Sequence, residues 1–178
     1  MKALIILADG FEELEAIGVI DILRRAQVQV IIAGLDKLLI SSARKIRIET
    51  DIELAQIGNE LFDVIVLPGG EPGASNLNNS ALVRNILINQ NNKSGLIGAI
   101  CAAPKIIDSL GILAGKKATS YPGVKLNSCI YSEDRVVVDK NIITSRGPGT
   151  TMEFSYEILA QLGLAENAVN LKLSMLAR

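Results

Sequence analysis

Two short apolar runs, Val64-Ile65-Val66-Leu67 and Leu96-Ile97-Gly98-Ala99-Ile100, constrain the fold more than any other feature of the chain. Neither shows polar alternation, so neither face of such a strand is suited to water. That pattern belongs to parallel strands covered by helices on both sides. Residues 3–7 and 28–33 have the same character, and segments 12–26, 81–89, 104–110 and 151–162 between and after the strands have helical character. The alternation predicts an α/β fold with a doubly wound, mainly parallel sheet sandwiched by helices. Segments 38–41, 46–49, 135–138 and 142–145 read as short strand or hairpin pieces, small antiparallel additions to that sheet. In the tail, residues 166–177, Val169, Leu171, Leu173 and Leu176 recur at helical intervals and are expected to pack back onto the domain. With 178 residues, 49% of them hydrophobic, the chain can bury a core, and no linker or repeat divides it. A single domain over residues 1–178 is expected.

Several function classes are disfavoured by charge and composition. The formal net charge is -1 and no basic block occurs, so no electrostatic argument favours nucleic acid or an anionic membrane surface. The apolar start, Met1 to Ala8, is short and runs into Asp9, Glu12, Glu13 and Glu15, so it reads as a first strand rather than a signal peptide. No other run is long enough to span a bilayer. The two cysteines, Cys101 and Cys129, form no CxxC pair, which suits a reducing compartment such as the cytoplasm. The chain contains no histidine, so Ser-His, Cys-His and His-ligated metal sites within one chain are excluded, and no metal or cofactor is expected.

In an open α/β sheet the site lies at the carboxyl ends of the strands, which directs attention to three loops. The first is Ala8-Asp9-Gly10-Phe11-Glu12-Glu13-Leu14-Glu15, where Asp9 is placed to cap the helix and Glu12 and Glu13 suit its positive end. Glu15 sits on the more apolar row, with Phe11, Glu12, Gly18 and Val19 as helical neighbours. Burial there raises a carboxyl pKa toward neutrality, the property wanted of a general acid or base. The second loop, Leu67-Pro68-Gly69-Gly70-Glu71-Pro72-Gly73, lets backbone N–H groups approach an anion, although taken alone it is better explained as a plain tight turn. It lacks the dinucleotide and Walker patterns. The third, Gly98-Ala99-Ile100-Cys101-Ala102-Ala103-Pro104, resembles a nucleophile elbow, with Ala99 and Ala103 where the serine form has glycines. Free N–H groups at a helix start lower a thiol pKa from ~8.5 into the range of roughly 3.5 to 7.5, which predicts an ionised Cys101. The structural alternative is a buried cysteine acting as a small hydrophobe. Cys129 lacks a strand-to-helix context and reads as incidental.

Together with Ser145-Arg146-Gly147-Pro148-Gly149-Thr150, these motifs stand in an order that resembles the ThiJ/PfpI superfamily, in the branch of the parkinsonism-associated protein deglycase. The resemblance runs from the first strand to about Ala160. It implies a flavodoxin-like fold, a homodimer, Cys101 as nucleophile and Glu15 as the carboxyl bonded to its sulfur. It assigns the N–H groups of Gly70 and Ala102, with Gly69 beside them, to an oxyanion pocket. It puts Arg25 and Arg44 at an anion-accepting rim and Pro148 near the thiol. Many relatives carry a histidine where this chain has Tyr121; a phenol with pKa near ~10 is a poor base at neutral pH, so protease and glutamine amidotransferase chemistry are disfavoured. Thr150 and Glu153 have capping-box spacing. The implied activity is a cysteine-dependent, glutathione-independent glyoxalase or protein deglycase, acting on small 2-oxoaldehydes such as methylglyoxal or on glycated protein. The alternative is a redox-sensing chaperone or stress-response protein in which Cys101 is oxidised to sulfinate.

Overall fold

In the computed structural model, which describes residues 1–58 and 60–177, the first strand β1 (Lys2–Leu7) leads through a tight loop into helix α1 (Glu13–Arg25). Strand β2 (Gln29–Gly34) follows, then a small hairpin of β3 (Leu39–Ser41) and β4 (Arg47–Glu49), and the short edge strand β5 (Ile52–Glu53). The next unit is β6 (Val64–Leu67), α2 (Gly73–Asn79) and α3 (Ala81–Asn92). Strand β7 (Leu96–Ile100) turns into α4 (Pro104–Ser109). The chain continues through β8 (Lys117–Ala118), β9 (Ile130–Tyr131), β10 (Val136–Asp139) and β11 (Ile142–Ser145) to α5 (Thr151–Gln161) and α6 (Ala165–Ser174).

Seven strands form one sheet in the order β10-β11-β7-β6-β1-β2-β5, parallel throughout except for the β10–β11 pair. The doubly wound α/β sheet with small antiparallel additions is therefore present, and β3–β4 is the expected hairpin. The expectation for 142–145 needs correction. Antiparallel to β10 but parallel to β7 on its other side, β11 is buried along all four residues and belongs to the main sheet. Its brevity had hidden that role.

Burial explains why the apolar runs become central strands. Ala3 to Leu7, Val64 to Leu67 and Ile97, Ala99 and Ile100 are at most 1% exposed, and each buried Ile or Leu contributes roughly 1.5–3 kcal/mol. Gly98 lets α5 approach β7: a Cβ there would come within 3.0 Å of Phe154 Cζ, one of the largest fully buried side chains.

Three local features depart from expectation, wholly or in part. Asp9 does not cap α1; Glu12 does, accepting from the Glu15 N–H at 2.8 Å. Asp9 instead pairs with Lys37 Nζ at 2.6 Å and accepts from the Ser41 N–H at 2.9 Å. The asparagine-containing α2 was not anticipated, because its helical propensity is weak; it is tied to the first loop by Asn76 Nδ2 donating to Asp9 O. The tail forms α6, with Ala168 buried and Leu171 and Met175 packed on the core, yet Val169, Leu173 and Leu176 face outward. No helix among the described residues is long and apolar enough to cross a membrane.

Candidate active site

Strand β7 delivers Cys101 to the carboxyl end of the sheet in a left-handed conformation, φ 63°. Such a backbone is unfavourable for a residue with a side chain and persists where the surroundings enforce it. Here two main-chain bonds do so: the Cys101 N–H donates to Ser145 O and its carbonyl accepts from the Tyr121 N–H, each at 2.9 Å. Ala99 and Ala103 are fully buried beside the turn, and Pro104 opens α4. The chain thus makes a nucleophile elbow, with Cys101 9% exposed.

The glycine loop after β6 closes over the elbow. Gly69 donates its N–H to Glu15 Oε2 at 2.7 Å and its carbonyl accepts from the Glu12 N–H at 2.9 Å. This corrects its expected place among the oxyanion donors, since its N–H is engaged with Glu15. The N–H groups of Gly70 and Ala102 are the ones directed at the Cys101 sulfur. Gly70 has φ 85°, and a Cβ there would lie 2.4 Å from Glu12 N, so both the conformation and the close approach require glycine.

Glu15, in the first turn of α1, is fully buried. Burial is the main cause that pushes its carboxyl up to about 7, opposed by the Gly69 N–H and the Cys101 side chain, reinforced by Glu12 and relieved by Arg44. Oε1 has no hydrogen-bond partner. The thiol is therefore near enough to shift the carboxyl's protonation while its geometry leaves Oε1 open.

The thiol behaves differently from the expectation. Burial, followed by the charge of Glu15 and the contact with its side chain, pushes Cys101 up to about 12, against the Gly70 and Ala102 donors. Two adjacent buried acids resist ionising together, and such titrations belong to the pair rather than to either residue. One proton leaves the pair near neutrality, and the second is held between carboxyl and sulfur well into the alkaline range. A thiolate is disfavoured beside an ionised Glu15, because burial and a facing carboxylate outweigh the donors at the helix start.

The DJ-1/PfpI family model matches residues 1–161. The chain belongs to the DJ-1/PfpI family. Among its relatives, the protein dj-1beta of Drosophila melanogaster is 45% identical over 166 residues, covering 90% of this chain and 89% of that protein. The crystal structure of Drosophila melanogaster DJ-1beta superposes with a TM-score of 0.96 at 43% identity, over 99% of this chain and 98% of the other. The glutathione-independent glyoxalase DJR-1.2 of Caenorhabditis elegans is 38% identical, covering 90% of this chain and 88% of that protein. A deglycase of Pyrococcus abyssi is 31% identical, with coverage of 91% and 99%.

Within this DJ-1/PfpI site the remaining candidates separate. Arg44 reaches the first turn of α1, with Nη1 at 3.3 Å from Glu12 Oε1 and 3.7 Å from Glu13 Oε2. Arg25 lies within one chain in the last turn of α1, about 15 Å along the axis from Glu15 at ~1.5 Å per residue, and pairs with Asp21 at 2.8 Å. Tyr121 is half exposed, its ring against Gly147 and its N–H on Cys101 O. Pro148 shares with Tyr121 a cleft of about 310 Å³. The Thr150–Glu153 capping box does not form: Thr150 makes no side-chain cap. Its hydroxyl bonds Ser145 Oγ at 2.6 Å, and Glu153 accepts two hydrogen bonds from Arg135, at 2.7 and 2.9 Å. Cys129 stands apart, near Asp108.

Two contributors escaped sequence reasoning. Glu12 joins α1, Gly69 and Arg44, and Ser145 anchors the elbow through its carbonyl. As an acid at the start of α1, Glu12 suits the helix dipole, and its spacing of three from Glu15 is the signal that it also caps the helix. A main-chain acceptor such as Ser145 O leaves none, because any residue supplies one.

Proposed function

We propose that the chain is a cysteine-dependent, glutathione-independent glyoxalase and protein deglycase, converting 2-oxoaldehydes such as methylglyoxal, or their early adducts on protein, into 2-hydroxy acids. The observation that carries this reading is the buried Glu15 carboxyl, held at Oε2 by Gly69 and unpartnered at Oε1, beside a buried cysteine at a left-handed turn, with the N–H groups of Gly70 and Ala102 near its sulfur. Relatives named as a glyoxalase and a deglycase support it.

In the first step Sγ bonds to the aldehyde carbon as the thiol proton passes to Glu15 and on to the carbonyl oxygen. The product is a hemithioacetal. Gly70 and Ala102 are the nearest donors for the charge developing on that oxygen. The Glu15 carboxylate, poised near neutrality, then takes the proton from this carbon and returns it to the neighbouring carbonyl carbon, while the hemithioacetal hydroxyl proton passes to that carbon's oxygen. The first carbon is oxidised and the second reduced, so no external oxidant is needed. Water cleaves the resulting thioester, releasing the 2-hydroxy acid and the thiol. Lactate formation from methylglyoxal tests the scheme: Cys101→Ser should abolish it and Glu15→Gln should slow it about 10²–10⁴-fold. Equal rates in all three proteins would sink the proposal.

A second reading, in which Cys101 is a redox switch, is supported by the same two N–H groups, which suit sulfinate oxygens as well as a substrate oxyanion. Graded peroxide followed by intact mass separates it: selective gain of two oxygens at Cys101, lost in Glu15→Ala, supports sensing. The chain further reads as a homodimer of a reducing compartment, the cytoplasm. Exposed Leu14 and Ile17 on α1 and Met152 on α5 offer an apolar face for a second copy. Sedimentation of wild type against Ile17→Glu tests that surface.

A further inference from the structure

The two main-chain bonds that hold Cys101 lead to opposite walls of one cleft. Tyr121, which donates to Cys101 O, begins one wall; Ser145, which accepts from Cys101 N–H, is followed by Arg146 on the other. Beside the elbow the cleft is lined by Tyr121, Pro122, Arg146 and Pro148. It continues into a volume of about 460 Å³ between Pro122, Leu126, Tyr131, Lys125, Glu133 and Arg146. Pro122 and Arg146 border both parts, so the two lie side by side, and Tyr121, bonded to Cys101 O, stands at the end nearer the elbow.

Its charges are unbalanced. Arg135 at the near end is neutralised by Glu153. Arg146 donates from Nη1 to the main-chain carbonyl of Glu133 at 2.8 Å. Among the described residues, neither Arg146 nor Lys125 pairs with a carboxylate. Glu133 is the sole acid lining the outer part. Two cations flanked by proline, leucine and a half-exposed tyrosine make a surface for a chain with both apolar and acidic character. Phosphate-backbone binding requires a longer basic track than two residues on a chain of net charge -1.

We propose that this cleft docks an extended peptide segment bearing an acidic side chain, and so presents a glycated residue of a protein substrate to Cys101. The assignment rests on the deglycase reading for its purpose, while the binding itself is independent of turnover. Small aldehydes need no such contact.

The test is fluorescence anisotropy with a labelled hexapeptide containing one lysine between two aspartates, its asparagine counterpart, and a hexathymidylate. Cys101→Ser is used throughout, so that no turnover occurs. The acidic peptide should bind about fivefold tighter than the neutral one. Lys125→Ala or Arg146→Ala, each added to Cys101→Ser, should remove most of that preference, as should added salt. Equal binding of the two peptides, unchanged binding in the Lys125→Ala variant, or tighter binding of the oligonucleotide overturns the proposal. Methylglyoxal turnover is followed separately in proteins that retain Cys101 and should be unaffected by Lys125→Ala. Its failure in wild type counts against the glyoxalase reading, whereas the peptide preference reports on the cleft alone.

Discussion

Gly69 and Glu15 are joined by a 2.7 Å hydrogen bond from the glycine N–H to Oε2, at a point where the backbone has no room for a side chain. A Cβ on Gly69 would lie 2.7 Å from Cys101 Cβ, 2.8 Å from Ala102 N and 2.9 Å from Glu15 Oε2. The bond and the missing methyl group together set how close the carboxyl, the sulfur and the donor loop can come.

Gly69→Ala is therefore expected to displace the loop from the elbow. Overpacking of this kind costs roughly 1–3 kcal/mol, and the Glu15 bond is lost with it. Urea unfolding should show the destabilisation, and kcat for methylglyoxal should fall about tenfold or more because Glu15 is no longer held against the sulfur, about 1.4 kcal/mol of lost transition-state stabilisation per factor of ten. Wild-type kcat in a destabilised Gly69→Ala protein would separate the loop geometry from catalysis.

Stability should depend on pH through Glu15. Below the ordinary carboxyl value of 4.5, native and unfolded states both hold the proton; above it the unfolded chain releases it, while the native carboxyl keeps it to about 7. The native state binds more protons in that window, so stability falls as pH rises from 4.5 to 7, by about 3 kcal/mol in all. Glu15→Gln should remove this slope and exceed wild type in stability at pH 8. Urea midpoints across the window provide the check.

The paired titration makes a separate prediction for Cys101. In a Cys129→Ser background, iodoacetamide alkylation should rise in two stages, near 7 and near 12, as the pair loses its two protons. Removing the carboxylate charge in Glu15→Gln should leave one stage lying below 12. Two stages persisting in that variant would show that the coupling lies elsewhere.

Asp108 should matter for the loop that carries Cys129 and borders the outer cleft. Its buried carboxylate accepts from the Asn127 N–H at 2.7 Å, the Ser128 N–H at 3.2 Å and the Ser128 hydroxyl. Asp108→Ala leaves those donors unmet and should cost about 2 kcal/mol. It should also accelerate alkylation of Cys129, whose thiol is held up by burial and by Asp108. Mass-mapped alkylation measures both cysteines in one sample.

The uninterrupted apolar runs were sufficient for the central strands, because a stretch with no polar face has few places in a fold except between two layers. The elbow was equally legible: an apolar strand ending at Cys101, small residues on either side and Pro104 two residues beyond Ala102 describe a strand-to-helix turn in local terms. The family match over residues 1–161 agrees with the order of motifs along the chain. By contrast, the place of β11 in the main sheet and the existence of α2 have little local signal, since four residues of strand or seven of helix acquire their state from what they pack against.

The same division runs through the site. Local pattern determined that Glu15 would lie on the apolar side of α1 and that Cys101 would stand at a turn. Only the tertiary structure decided that Gly69 would turn its N–H to the carboxyl instead of the pocket, that Arg25 would lie at the far end of the helix, and that Glu15 would raise rather than relieve the thiol's proton affinity. Backbone direction, distance between loops and the mutual repulsion of buried charges are properties of three dimensions, and they depend on segments that the chain brings together from 54 residues apart.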